Sequence, residues 1–216
     1  MHPIEQTVLS VAGDFGFYWD KSIQQKANLQ KLAKLPFEIA VVLGNHENYE
    51  MIENERKKVI WNGNEVWQMS DNVYIMPDGV IELQGKTILC ARGADSIDKD
   101  MRIPYIEWWH QEQMSVKEQI EIWNSSYWYH NSVDYVITHS APSTLVDIIF
   151  HNTNNFARSS TEKLLDLIAK EISFKKWYCG HYHIDITMHG KFEFINDDLL
   201  SIEKGREEEL RWIIKK

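Results

Sequence analysis

Phe37-Glu38-Ile39-Ala40-Val41-Val42-Leu43 runs into Gly44-Asn45-His46-Glu47, and the reading of that stretch decides the fold. A short apolar run with β-branched content predicts a buried strand. It stops at a glycine, which permits a sharp turn close to a ligand atom, and polar side chains follow at once. The same order of events recurs three times. Thr7–Ala12 runs into Gly13-Asp14-Phe15-Gly16, Asp134–Thr138 into His139-Ser140-Ala141-Pro142, and Trp177-Tyr178-Cys179 into Gly180-His181-Tyr182-His183. If those strands share sheets, the four turns crowd along one rim, where α/β folds place ligands.

Outward from these strands the chain alternates. Lys21–Leu35 predicts a helix with apolar positions at Ile23, Ala27, Leu29, Leu32 and Ala33, and Tyr49–Lys57 predicts another. From Val66 to Arg92 the pattern changes to short strands, Val73–Met76, Val80–Leu83 and Lys86–Ala91, separated by turn pairs such as Asp78-Gly79. Ser115–Tyr129 and Thr161–Ile172 read as helices, the second opened by the cap candidates Ser159 and Ser160. Ile184–Met188 with Lys191–Ile195 resembles a terminal hairpin across His189-Gly190, and Glu207-Glu208-Glu209 reads as a solvated helix start. No repeat or linker divides residues 1–216, so the expectation is one α/β domain of layered sheets flanked by helices.

Charge narrows the partners. Lys and Arg number 23 against 32 Asp and Glu, a formal net charge of −9. Such a surface repels polyanions and disfavours non-specific nucleic-acid binding. A small phosphate ester can still bind where metal cations supply the positive charge locally. Cys90 and Cys179 form no CxxC pair and read as buried thiols of a reducing compartment. No apolar run reaches the roughly 18 residues that span a bilayer. Met1–Gln6 has neither the basic flank nor the apolar core of a signal peptide, so a soluble cytoplasmic protein is expected, with no membrane contact.

The residue types at the four turns point to metal. Asp14, Asn45, His139, His181 and His183 make one carboxylate, one amide oxygen and three imidazoles. This mixed set suits Mn, Fe or Zn rather than Ca or a thiolate-bound zinc. An aspartate can bridge two ions, and two ions about 3.5–4 Å apart clamp a phosphoryl group and generate a hydroxide nucleophile. His46, beside Asn45, is placed to protonate or stabilise a leaving oxygen. Each motif alone has a plainer reading: Gly-Asp and Gly-Asn are ordinary turn pairs, and a single histidine after a strand is commonly just hydrogen-bonded. Their joint occurrence at four strand ends carries the argument.

Taken together, the blocks resemble those of the calcineurin-like metallophosphoesterase family, whose hallmarks are Asp-x-His, Gly-Asp, Gly-Asn-His-Glu/Asp, a lone His and Gly-His-x-His. Four of the five stand here, as Gly13-Asp14, Gly44-Asn45-His46-Glu47, His139 and Gly180-His181-Tyr182-His183. The resemblance implies a β-sandwich of two mixed sheets flanked by helices. It implies hydrolysis of phosphate mono- or diesters, nucleotides included, by a metal-bound hydroxide, with Mn or Fe, or Zn, as the divalent ion. By the same resemblance Asp14 bridges two ions, Asn45, His139 and His181 complete one site, His183 serves the other, and His46 assists catalysis.

The Asp-x-His block is absent. In the family it lies on a strand ahead of the Gly-Asp strand, so the first strand and helix of the fold are expected to be missing. His2 does not substitute, because the intervening strand puts it near the opposite rim. One metal site is then complete and its neighbour lacks two ligands, which implies reduced activity. Three explanations stand: an amino-terminally shortened enzyme, a natural one-metal variant, or a binding module without catalysis. The intact remaining blocks favour the first, and retention of His46 favours an enzyme over a module. A sheet edge bared in this way is a place for a second copy, hence a homodimer.

Arg92 and Arg102 flank a charge-dense segment after Lys86–Ala91 and are candidates for holding phosphate oxygens. The plainer reading is a solvated loop whose charges pair with each other. Trp108-Trp109 with His110 either roofs the cleft or belongs to the core. His130, His151 and His189 fall outside any motif.

Overall fold

The computed structural model describes residues 7–96, 98–151, 158–203 and 205–209. Met1–Gln6, with His2, lies outside them. Two sheets form the frame. The first has five strands in the order β1-β2-β5-β4-β3, with β1 Val8–Ala12 at one edge, β2 Glu38–Val42, β3 Lys57–Trp61, β4 Asn64–Ser70 and β5 Val73–Ile75. The second has six, in the order β10-β11-β9-β8-β7-β6: β6 Gly79–Leu83, β7 Lys86–Ala91, β8 Tyr135–Thr138, β9 Lys176–Cys179, β10 Ile186–Met188 and β11 Phe192–Phe194. Both sheets are mixed. Strands β1, β2 and β5 run parallel, as do β7, β8, β9 and β11, while β3-β4, β6-β7 and β10-β11 are antiparallel hairpins. This is the two-sheet, helix-flanked α/β architecture that the resemblance implies.

Why the strands read as unbroken apolar runs is visible in the layers. Successive side chains of a strand point to opposite faces, and here both faces are covered. Ala40 and Val42 of β2 point inward, where they share a core with Ile88 and Cys90 of β7, Tyr135 and Ile137 of β8 and Tyr178 of β9. Ile39, Val41 and Leu43 point outward onto Tyr49, Met51 and Ile52 of helix α2 Tyr49–Glu55 and onto Leu29 and Leu32 of helix α1 Ile23–Leu32. On the far side, Val136, Trp177 and Cys179 pack against α3 Val116–Trp128, α4 Ser143–Ile149 and α5 Ser160–Glu171 through Ile122, Leu145, Leu165 and Ile168. Each fully buried aliphatic side chain contributes about 1.5–3 kcal/mol. Four layers thus hold the parallel strands rigid, with their carboxyl ends at one rim.

Two expectations need correction, and one element was missing from them. The helix over Tyr49–Lys57 stops at Glu55, because Lys57–Trp61 is a strand paired with β4 across Asn62-Gly63. Both turn residues have positive φ, 48° and 79°, the backbone that an Asn-Gly hairpin adopts. Helix α4 was not anticipated. Glu207–Glu209 does not begin a helix; Gly205–Glu209 is strand β13, antiparallel to β12 Leu200–Ser201. No described helix is long and apolar enough to cross a membrane.

Candidate metal centre

The four motifs do meet, two from each sheet. Asp14 and Asn45 follow β1 and β2, while His139 and His181 follow β8 and β9. Backbone bonds stitch the rims: Gly180 N–H donates to His139 O at 3.0 Å, His139 N–H to Ala91 O at 3.3 Å, and Gly93 N–H to Leu43 O at 2.8 Å. Glycine makes this approach possible. A methyl group on Gly13 would overlap the His139 ring, and one on Gly44 would overlap Asp14. One on Gly180 would strike the Ala12 carbonyl. Asp14 and His181 themselves take left-handed backbone, φ 50° and 66°, a strained state for non-glycine residues that tertiary packing must impose.

The polarity of the cluster follows from its hydrogen bonds. His139, 1% exposed, places Nδ1 2.8 Å from the Ala12 carbonyl. A carbonyl only accepts, so Nδ1 carries the proton. Burial pushes the imidazole's pKa down, more than the Asp14 carboxylate raises it, and the ring stays neutral. Its Nε2 lone pair therefore points at two further acceptors, Asn45 Oδ1 at 2.9 Å and Asp14 Oδ1 at 3.3 Å. The Asn45 amide cannot turn to relieve this. Its Nδ2 donates to Ser96 Oγ at 2.9 Å, and that hydroxyl donates to Glu112 Oε2 at 2.6 Å. Three lone pairs converge with no hydrogen between them. A cation is the group that satisfies such an arrangement.

His181 adjoins the three, its ring 5.0 Å from that of His139, edge to face. Burial first, then the neighbouring histidine, pushes its pKa down to about 3, so it too is a neutral donor. His183 is exposed, yet near enough for its charge to act on His139 and His181. The two residues share no strand face, since both have positive φ and the segment is not extended. Between them Tyr182 is the anchor, its hydroxyl 3.0 Å from Ser140 Oγ and its ring against Phe194. Among the described residues no three His, Cys, Asp or Glu side chains form a metal-holding group. The convergent set here needs the amide oxygen of Asn45 as its third member.

The remaining candidates separate. His46 donates its backbone N–H to Asp14 Oδ1 at 2.9 Å, and its ring Nδ1 lies 3.2 Å from Arg102 Nη1. Arg102 also holds Asp98 at 2.9 Å, and Lys99 holds Asp95 at 2.9 Å, so this loop does pair its charges internally. Arg92 is not available to a phosphate: both ends of its guanidinium are taken, by Asp78 and by Glu118. Trp109 is core, 1% exposed and edge-on to Trp19.

Three supporting residues have roles that the sequence alone did not assign. Ser96 and Glu112 orient Asn45. Glu47 is fully buried and accepts from Phe15 N–H at 2.7 Å, which ties the Asp14 loop to the Asn45 loop. Burial above all pushes its carboxyl up to about 8, so it is protonated at neutral pH.

A family model for calcineurin-like phosphoesterases matches residues 3–185. The chain belongs to this family. No curated protein matches it. All four motifs fall inside the calcineurin-like phosphoesterase match, and the hairpin from Ile186 onward falls beyond it. Phosphoesterases of this family generally use divalent metal ions, and the neutral imidazoles, the amide oxygen and the carboxylate gathered here fit such an ion.

Proposed function

We propose that this chain hydrolyses phosphate esters, with a divalent ion held by Asp14, Asn45, His139 and His181. His183 would serve a second ion, and His46 would assist the leaving oxygen. The observation that carries this is the convergence of the His139, Asn45 and Asp14 lone pairs within 3.3 Å of the His139 nitrogen. Bound there, a divalent ion supplies Lewis-acid activation of a phosphoryl oxygen and of the attacking water. The chain's own residues do the rest. Ala12 holds His139 in the tautomer with a free Nε2, Ser96 and Glu112 hold the amide of Asn45, and the backbone of His46 holds Asp14.

Mn or Fe is the expected ion, with Zn also compatible with the donor set. The substrate class is a small mono- or diester, nucleotides included, because the net charge of −9 speaks against long polyanions. Two buried free thiols, Cys90 and Cys179, agree with a cytoplasmic setting. The exposure of His183 favours a second reading beside this one, in which a single ion is held and turnover is reduced or absent.

The deciding experiment is metal content per chain by elemental analysis, alongside hydrolysis of aryl phosphate mono- and diesters with added manganese. Bound metal with turnover is the expected result. Bound metal without turnover would identify a binding module, and a chain that takes up no ion would overturn the assignment.

A further inference from the structure

Arg102 and His46 lie 56 residues apart in sequence, yet their side chains meet at 3.2 Å, Nη1 against Nδ1. A guanidinium has five N–H donors, no acceptor, and keeps its proton at any working pH. In this contact the arginine must donate. His46 Nδ1 therefore presents a lone pair, and the single proton of the neutral ring sits on Nε2. We propose that Arg102 is a positioning residue that fixes His46 as the Nε2–H tautomer, turning a hydrogen-bond donor toward the leaving oxygen of the ester. This rests on the role given to His46 above and specifies its chemistry.

The arginine is itself held in place. Its Nη2 pairs with Asp98 Oδ2 at 2.9 Å, and Nη1 also reaches the Glu107 carbonyl at 3.4 Å. Glu107 in turn accepts from Ile103 N–H at 3.0 Å, closing the loop on its own backbone. Two roles are thereby disfavoured. Arg102 does not clamp phosphate as a free fork, because Nη1 and Nη2 are both engaged. Nor does His46 act as a base through Nε2, which already carries hydrogen. When the P–O bond to the leaving group breaks, its electron pair stays on the leaving oxygen. His46 stabilises that charge by a hydrogen bond and keeps its proton, and the product oxygen is protonated by water. A neutral histidine used as an electrophile is a known solution to this problem.

The first test reads the tautomer directly. In the full chain labelled with ¹⁵N-histidine, metal-free and zinc-loaded, two-bond ¹⁵N–¹H correlations should show His46 with Nε2 protonated and Nδ1 bare. The peak is assigned by its disappearance in His46→Gln. Arg102→Met should convert it to the averaged pattern of a free imidazole, and Arg102→Lys should restore it in part. A wild-type ring protonated on Nδ1, or one already averaged, overturns the proposal whether or not the Arg102 variants fold.

The second test reads the consequence. Arg102→Met should lower turnover of alkyl esters by about 10–100-fold and of nitrophenyl esters by less than about threefold, because only a poor leaving group needs the donor. Equal losses on both would make Arg102 merely structural and overturn the positioning role. If the wild type hydrolyses neither ester, the phosphoesterase reading fails, while the spectrum still decides the tautomer.

Discussion

Ser96 Oγ lies 2.9 Å from Asn45 Nδ2, and that single bond decides which end of the amide faces His139. Ser96→Ala leaves the buried nitrogen without its acceptor, a loss of about 1–3 kcal/mol in unfolding free energy. It also frees the amide to rotate and donate to His139 Nε2, which fills the lone pair an ion needs. Urea unfolding and a zinc titration should show both effects; unchanged zinc affinity would mean that Ser96 does not govern the amide.

Metal and chemistry should separate between two histidines. His181→Ala is expected to remove metal and hydrolysis together. His46→Ala should leave metal content nearly intact while lowering turnover by about 10²–10⁴-fold. Elemental analysis beside an ester assay distinguishes the two patterns, and full turnover by the His46 variant would contradict its assigned role.

Arg92→Met tests whether its pairing with Asp78 and Glu118 keeps this arginine from binding phosphate. It strips Asp78 and Glu118 of their common partner in a largely buried spot, 16% exposed at the arginine, and should cost about 1–3 kcal/mol. Hydrolysis per folded molecule should stay near the wild-type value. A selective rise in KM for phosphate esters would return Arg92 to the binding site.

Glu112 offers a pH test. It is fully buried, and burial pushes its carboxyl up to about 7 from the ordinary 4.5, chiefly by desolvation. Between those values the folded state holds the Glu112 proton and the unfolded one does not, so the stability that Glu112 contributes is fully present below about pH 4.5 and falls as pH rises toward 7. The expected loss across that window is on the order of 1–3 kcal/mol in the metal-free chain. Glu112→Gln should make this part of the curve shallower, leaving the share that Glu47, raised to about 8, contributes over the same window; an equal slope in both proteins would assign the pH dependence elsewhere.

Gly44→Ala should be costly, since the added methyl meets both the carboxylate and the backbone nitrogen of Asp14. A loss of about 1–3 kcal/mol is expected, with metal lost as well. Gly63→Ala is the control. No atom lies within 4 Å of its added methyl, so only the strain of φ 79° remains, and metal content should not change.

Much of this was legible in the amino-acid order, for a physical reason. Strands such as β2 are covered on both faces, so they read as unbroken apolar runs, and the polar residues that follow mark the rim. The misses have causes too. Strand β3 is exposed at Lys57, Lys58 and Ile60, so it lacks the apolar run and shows itself only through Asn62-Gly63. Ser96 and Glu112 are single polar residues in a charged loop, with no period to betray them. The meeting of Arg102 with His46 depends on how a distant loop folds back, which neither residue's neighbours encode.

The glycines beneath Asp14, Asn45 and His181 bear on how this centre can change by descent. Gly13 and Gly180 each let a loop come within a methyl's width of an atom on the other sheet, and Gly44 does the same toward Asp14 on its own sheet, so no single loop can gain bulk without dislodging the next. Variation there must come in matched sets or not at all. The segment from Asp98 to Glu107 contains no such glycine and meets the centre where Arg102 reaches His46. Diversification of specificity among close kin of this chain should therefore accumulate in that segment, while the rim stays as it is.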